Sequence, residues 1–114
     1  MDFTQFLDMY DRADRTMGSV ADMLLDQSGI LSLRGDHINV LDMACGTGVV
    51  ASRILSKLQT GDQALIDLTC ADISEALIAP LSTMIKQKNW SNVRAVVADA
   101  MVCLSPFLEL WRLK

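Results

Sequence analysis

The chain contains no uncharged apolar run of the ~18 residues that a helical bilayer crossing requires, so no membrane-spanning helix is expected. Basic residues form no stripe, and the formal net charge is −4, which leaves nucleic-acid phosphates nothing to be neutralised by. Neither a nucleic-acid partner nor a membrane partner is expected. The start, Met1-Asp2-Phe3-Thr4, lacks a basic flank ahead of an apolar segment, so it does not read as a secretory signal. The three cysteines, Cys45, Cys70 and Cys103, are odd in number, widely spaced and without a CxxC pair. That pattern suits a reducing, intracellular compartment better than a disulfide framework, with the cytoplasm as the expected location. No metal site is expected. Repeats, linkers and low-complexity tracts are also missing, and 114 residues make one domain at most.

What is present is apolar, at 51% of residues, and periodic. Phe3, Phe6, Leu7 and Tyr10, then Val20, Met23 and Leu24, recur at helical spacing, predicting helix over residues 2–28 with a break at Gly18 and a stop at Gly29. Ile38–Met43 reads as a short buried strand, followed by a glycine turn and a helix whose face is Val50, Ala51, Ile54, Leu55 and Leu58, closed by Gly61-Asp62. Leu65–Ala71 is a second strand, ending at Asp72, and Val93–Ala98 a third, ending at Asp99. Between them Ser74 is a plausible N-cap for a helix with Leu77, Leu81, Met84 and Ile85 on one face. Pro80 in mid-helix costs roughly 3 kcal/mol, so that helix is expected to kink or to begin near Pro80. This order predicts an α/β protein with a parallel sheet and right-handed crossovers.

In such sheets ligands gather at the carboxyl ends of the strands, and here each of the three ends carries an acid: Asp42, Asp72 and Asp99. The first lies beside Gly46-Thr47-Gly48-Val49-Val50-Ala51, which formally satisfies the dinucleotide fingerprint G-x-G-x-x-G/A. Glycine is needed in such a turn because a Cβ would keep a ligand from the backbone. A carboxylate at 42, however, would face the pyrophosphate of a dinucleotide. Two like charges about 6 Å apart at an effective dielectric of 20 repel by roughly 3 kcal/mol. A cationic ligand without phosphate, such as S-adenosylmethionine, is attracted instead. Asp72 could then accept from ribose hydroxyls, and Asp99 from an exocyclic amine. The competing reading is that Asp72 and Asp99 merely begin turns. His37, the only histidine, falls before the first strand, away from the ligand rim, and is expected to be solvated. Cys45 reads as a small residue packed in the turn rather than a nucleophile, since no base accompanies it.

"VLDMACGTGVVASRIL" resembles the first motif of class I S-adenosylmethionine-dependent methyltransferases, and "LTCADISEALI" is similar to their second-strand motif. "NWSNVRAVVADAMVCLSPF" resembles their segment from the third strand through the adenine site, and the nearest flavour is the small-molecule enzymes of ubiquinone-type and fungal natural-product pathways. The resemblance covers roughly residues 36–107. It implies a truncated Rossmann-like α/β fold, with N-terminal helices (1–35), a cofactor-binding βαβαβ unit (36–100) and a divergent tail (101–114). It further implies S-adenosylmethionine, or S-adenosylhomocysteine, as cofactor and a small molecule as substrate. Asp42, Ala44, Cys45, Gly46 and Gly48 would line the methionine end. Asp72 would bind the ribose and Ile73 the adenine face; Asp99 and the Ala100 backbone N–H would meet the adenine edge. Tyr10 falls where the family often places an aromatic, and equally where a helix packs.

The family continues past the third strand into a fourth, beside the first, and three more. The stretch "LELWRLK" resembles nothing in that continuation. The expectation is therefore that a second copy or a partner chain completes the acceptor pocket, with Phe107, Leu108 and Trp111 in or near a homodimer interface. No catalytic residue is assigned. Two alternatives remain open at this stage: a non-catalytic auxiliary or regulatory subunit, and a methyltransferase fold reused for another small-molecule reaction.

Overall fold

A computed structural model describes residues 1–32, 37–58, 60–63 and 65–101. The expected interface residues Phe107, Leu108 and Trp111 lie outside them, as does Cys103. Helix α1 spans Phe3–Ser28; a 3-10 turn (Ile30–Ser32) leads to strand β1 (Ile38–Met43), helix α2 (Val49–Lys57), the short helix α3 (Thr60–Gln63), strand β2 (Ile66–Asp72), helix α4 (Glu75–Gln87) and strand β3 (Val93–Val97). No described helix is long and apolar enough to cross a membrane.

Helix α1 starts on a reciprocal cap: Asp2 Oδ1 accepts the Gln5 N–H at 2.8 Å, and Gln5 Oε1 accepts the Asp2 N–H at 3.0 Å. It ends where Gly29 turns left-handed, with φ of 73°. The expected break at Gly18 does not occur. Gly18 is buried inside one continuous 26-residue helix, and a Cβ there would overlap the Arg53 guanidinium of α2. That guanidinium donates to Asp14 Oδ1 at 3.0 Å and Asp22 Oδ2 at 3.1 Å, so the glycine marks a close approach between helices. Tyr10 adds a 2.6 Å hydrogen bond to Ser52 Oγ and packs beside Phe6, which is the helix-packing role.

The remaining departures are local. Helix α2 ends at Lys57, and Gly61-Asp62 belongs to α3 rather than closing α2. Helix α4 begins at Glu75 and runs through Pro80, without starting there. Proline removes one N–H, the donor that would serve Ala76 O; Ala76 is exposed, so water can reach that carbonyl. Ser74 occupies the N-cap position of α4 but makes no side-chain cap.

All three strands are parallel in the order β1-β2-β3, with Val40 opposite Leu68 and Leu68 opposite Val93. Alternation is clear on β2, where Ile66, Leu68 and Cys70 are buried and Asp67 is exposed. The helices supply the facing layer, with Phe6, Ile54, Leu81 and Met84 almost fully buried against the sheet. The other face carries Asn39, Leu41, Asp67, Thr69 and Arg94, which line a cavity of about 610 Å³. His37 sits at the amino end of β1 with Nε2 2.7 Å from Asp67 Oδ2, both side chains about half exposed. It is paired rather than simply solvated, and belongs to the end of the sheet opposite the glycine turn.

Candidate functional site

Parallel pairing brings the acids of β1 and β2 together. Asp42 lies opposite Cys70 in the register and shares the helix-covered face with Val40 and Ile38, two and four residues before it. Asp72 is the last residue of β2, one residue beyond the strand end read from the sequence. The chain then leaves β1 through a turn held to β2 by the Cys45 N–H, which donates to Ala71 O at 2.9 Å. The turn is closed by the Gly48 N–H donating to Cys45 O at 3.0 Å.

Both glycines of the turn are required. Gly46 and Gly48 have φ of 58° and 86°, the left-handed region that L side chains rarely adopt. A Cβ on Gly48 would in addition stand 3.0 Å from Leu81 Cδ1, so helix α4 packs directly on the turn. A Cβ on Gly46 would meet nothing within 4 Å, so open space lies against its backbone. Ala44 is also left-handed, at φ of 58°, which costs about 1–2 kcal/mol in a residue with a Cβ. Thr47 is the one polar residue among the described residues that is buried outright.

The two carboxylates are treated differently. Asp72 Oδ2 accepts the Gly46 N–H and Oδ1 accepts the Ser74 N–H, each at 2.9 Å. It fastens the glycine turn to β2 and opens the turn into α4, while each oxygen keeps a lone pair for another donor. Asp42 Oδ2 is buried and has no hydrogen-bond partner. Burial, and then the neighbouring charge of Asp72, push the Asp42 carboxyl up from 3.8 to about 6. An orphaned buried carboxylate is costly unless a cation or a donor meets it. Beside it Cys70 is fully buried, and its thiol is held protonated first by hydrogen bonding with Cys45, then by burial.

The third strand end is looser. Asp99 is exposed two residues past β3, its Oδ1 accepting the Met101 N–H at 2.9 Å. Asp72 and Asp99 therefore do begin turns, each capturing the N–H two residues on. The Ala98 N–H donates to Asp72 O at 3.0 Å, which ties this segment to the end of β2. Ala100 is half-buried, and Ile73 is 68% exposed directly after Asp72. Asp42, Ala44, Cys45, Gly46, Gly48 and Asp72 thus form one connected cluster. Ile73, Asp99 and Ala100 lie along its carboxyl rim, while Tyr10 and His37 belong to other contacts. Sequence reasoning missed Cys70, because its position under the turn follows from strand register. With two carboxylates, a glycine-lined space and no cation in its hydrogen bonds, the cluster can receive a positively charged, hydroxyl-bearing ligand.

No family model matches the sequence. Curated relatives do, among them two from Aspergillus species. Acetylaranotin bis-thiomethyltransferase of Aspergillus terreus is 30% identical over 96 residues, covering 84% of this chain and 35% of that protein. Methyltransferase tpcH of Aspergillus fumigatus is 28% identical over 95 residues, covering 83% and 34%. The chain spans about a third of the length of these relatives. Among solved structures, coclaurine N-methyltransferase bound to N-methylheliamine and S-adenosylhomocysteine superposes with a TM-score of 0.54 at 20% identity, over 71% of this chain and 21% of that one. An S-adenosylmethionine-dependent methyltransferase from Clostridium acetobutylicum gives 0.56 at 21% identity, over 85% and 37%. These structural likenesses establish the fold.

Proposed function

With this chain placed among the class I S-adenosylmethionine-dependent methyltransferases over part of their fold, we propose that it binds S-adenosylmethionine and S-adenosylhomocysteine at the carboxyl ends of β1 and β2, in the service of small-molecule methylation. The observation that carries the reading is Asp42 Oδ2, buried and without a partner beside a glycine turn. Its unmet charge fits the ammonium of the cofactor's methionine end. The open space at Gly46 fits close approach of that chain, and the free lone pairs of Asp72 fit ribose hydroxyls. Ile73 offers an apolar surface for the adenine; Asp99 and the Ala100 N–H would meet its edge. A dinucleotide is disfavoured, because Asp42 beside the glycine turn would confront its pyrophosphate.

The sulfonium of S-adenosylmethionine supplies an activated methyl group and a good leaving group, so the protein's task is chiefly to align an acceptor rather than to move a proton. A small-molecule acceptor is the reading favoured by the fungal relatives, one of which is named for methylating thiols. The acceptor pocket would be completed by a second copy or by a partner chain. Reuse of the fold as a non-catalytic subunit is the weaker alternative, since a scaffold has no need of an orphaned buried acid.

Calorimetric titration with S-adenosylmethionine, S-adenosylhomocysteine and NAD tests the reading. Heat is expected from the first two only. Asp72→Ala should weaken both by roughly 1.5–3 kcal/mol, the worth of charge-assisted hydrogen bonds. Absence of binding at millimolar concentration overturns the cofactor reading.

A further inference from the structure

Strand β3 is an edge of the sheet, since among the described residues it pairs only with β2. The Leu68 N–H donates to Asn92 O at 2.8 Å and the Ala98 N–H to Asp72 O at 3.0 Å, which fixes the alternation of the parallel ladder. Arg94 and Val96 therefore turn their backbone groups toward β2, while Ala95 and Val97 turn theirs away. Outward N–H and C=O groups of this kind are a template for another strand.

Helix α4 runs beside this edge and leaves a trough of about 490 Å³. Ile85, Val93 and Ala95 form its apolar floor, and Trp90 stands half-buried at the end where β3 begins. Trp90 is pinned there: its backbone N–H donates to Ile85 O at 3.1 Å, and Lys88 Nζ lies 5.4 Å from its ring centroid. The charged residues of the trough are Lys86 and Arg94, both cations in a chain of net charge −4. Both are exposed, and among the described residues neither forms an ion pair. Arg94 is anchored through Nε, which donates to Thr69 Oγ1 at 2.9 Å.

We propose that the β3 edge is a docking surface for an extended, acidic peptide segment of a partner protein, which adds to the sheet as a strand. Its backbone pairs with the outward groups of Ala95 and Val97. Side chains of a strand alternate between faces, so apolar residues of the peptide fall on the α4 side, over Ile85, Val93 and Ala95. The intervening residues fall on the side of Arg94, and Lys86 guards the rim of the trough. Two unpaired cations favour an acidic segment and repel a basic one. A small anion could meet the cations but not the row of backbone groups beside them; a peptide meets both. The chain's own stretch LELWRLK carries two cations and one acid, a poor match in charge. Strand β2 separates this edge from β1 and its glycine turn, so the proposal does not depend on the cofactor reading.

The test adds a labelled short peptide alternating glutamate and valine to the full chain and follows fluorescence anisotropy, with amide hydrogen exchange read by NMR. Saturable binding is expected, with new protection of the Ala95 and Val97 N–H groups. The same peptide N-methylated at alternate residues, and its lysine–valine counterpart, should bind at least severalfold more weakly. Lys86→Glu and Arg94→Glu should each weaken binding severalfold. Ala95→Pro removes a donor that β2 does not use, so it should abolish binding with the circular dichroism spectrum unchanged. No binding, or equal binding of the N-methylated peptide, overturns the proposal. So does protection of Ala95 and Val97 before any peptide is added, which would show the edge already covered by a second copy or by this chain's own residues.

Discussion

Asp42 sets the chemistry of this site at the scale of a single side chain, and it has a cost. Its carboxyl titrates at about 6 when folded against 3.8 as a free group, so between those values the folded state holds more protons than the unfolded one. Stability must therefore fall as pH rises from about 3.8 through about 6, and the full penalty, up to about 3 kcal/mol, is present above that window. Asp42→Asn removes the charge and keeps the shape. We predict that it raises the unfolding free energy of the ligand-free chain at pH 8 and leaves it unchanged near pH 3, as read by urea melts. Equal stability of the two proteins at pH 8 would sink the idea of an uncompensated acid. The acids at 42 and 72 were legible in the sequence because a strand's end and a glycine turn announce them. The partnerless state of one and the doubly bonded state of the other were not, since both depend on which N–H groups the turn happens to aim at them.

Between elements, the α1–α2 contact turns on Gly18. In an ordinary helix glycine is worse than alanine by about 0.5–1 kcal/mol, and the sequence invites the reading of a break. The glycine instead leaves room for Arg53, whose guanidinium spans Asp14 and Asp22, with Lys57 Nζ 3.6 Å from the second of these. That reason was invisible locally because the crowding group belongs to another helix. Gly18→Ala is predicted to destabilise the chain by about 1–2 kcal/mol, since the displaced guanidinium leaves partly buried carboxylates unpaired. In an Arg53→Ala background the same change should become stabilising by about 0.5–1 kcal/mol. A double-mutant cycle by chemical denaturation reads the difference; an Arg53-independent effect would show that the glycine serves some other purpose. Pro80 is the converse case, where a local rule gave way: the hydrophobic face of Ile78, Leu81, Met84 and Ile85 carries α4 through it.

For the whole molecule, the α/β class, the parallel order and the three strands were readable from alternating apolar runs and turn residues, because buried strands and crossover helices leave strong periodic signals. What covers the sheet was not. Among the described residues β1 pairs only with β2, and Leu41 on the helix-free face is 56% exposed. An unpaired strand edge beside exposed apolar side chains favours association. We propose a homodimer burying well over roughly 1,200 Å², with Phe107, Leu108 and Trp111 in or near the interface. Light scattering across a dilution series should report a dimer that Trp111→Ala shifts toward monomer. A monomer mass at tens of micromolar, indifferent to that substitution, would end the proposal.

The central claim is that a cationic methyl-donor cofactor is received by Asp42 at the glycine turn. Its most direct test is a calorimetric titration of S-adenosylhomocysteine into the natural sequence and into Asp42→Asn at pH 8, with NAD as the competitor. The account predicts binding to the natural sequence that NAD does not displace, a marked loss of affinity in Asp42→Asn despite its greater stability, and weakening in the natural sequence as pH falls below about 6. Undiminished affinity in Asp42→Asn, or displacement by NAD, would contradict it.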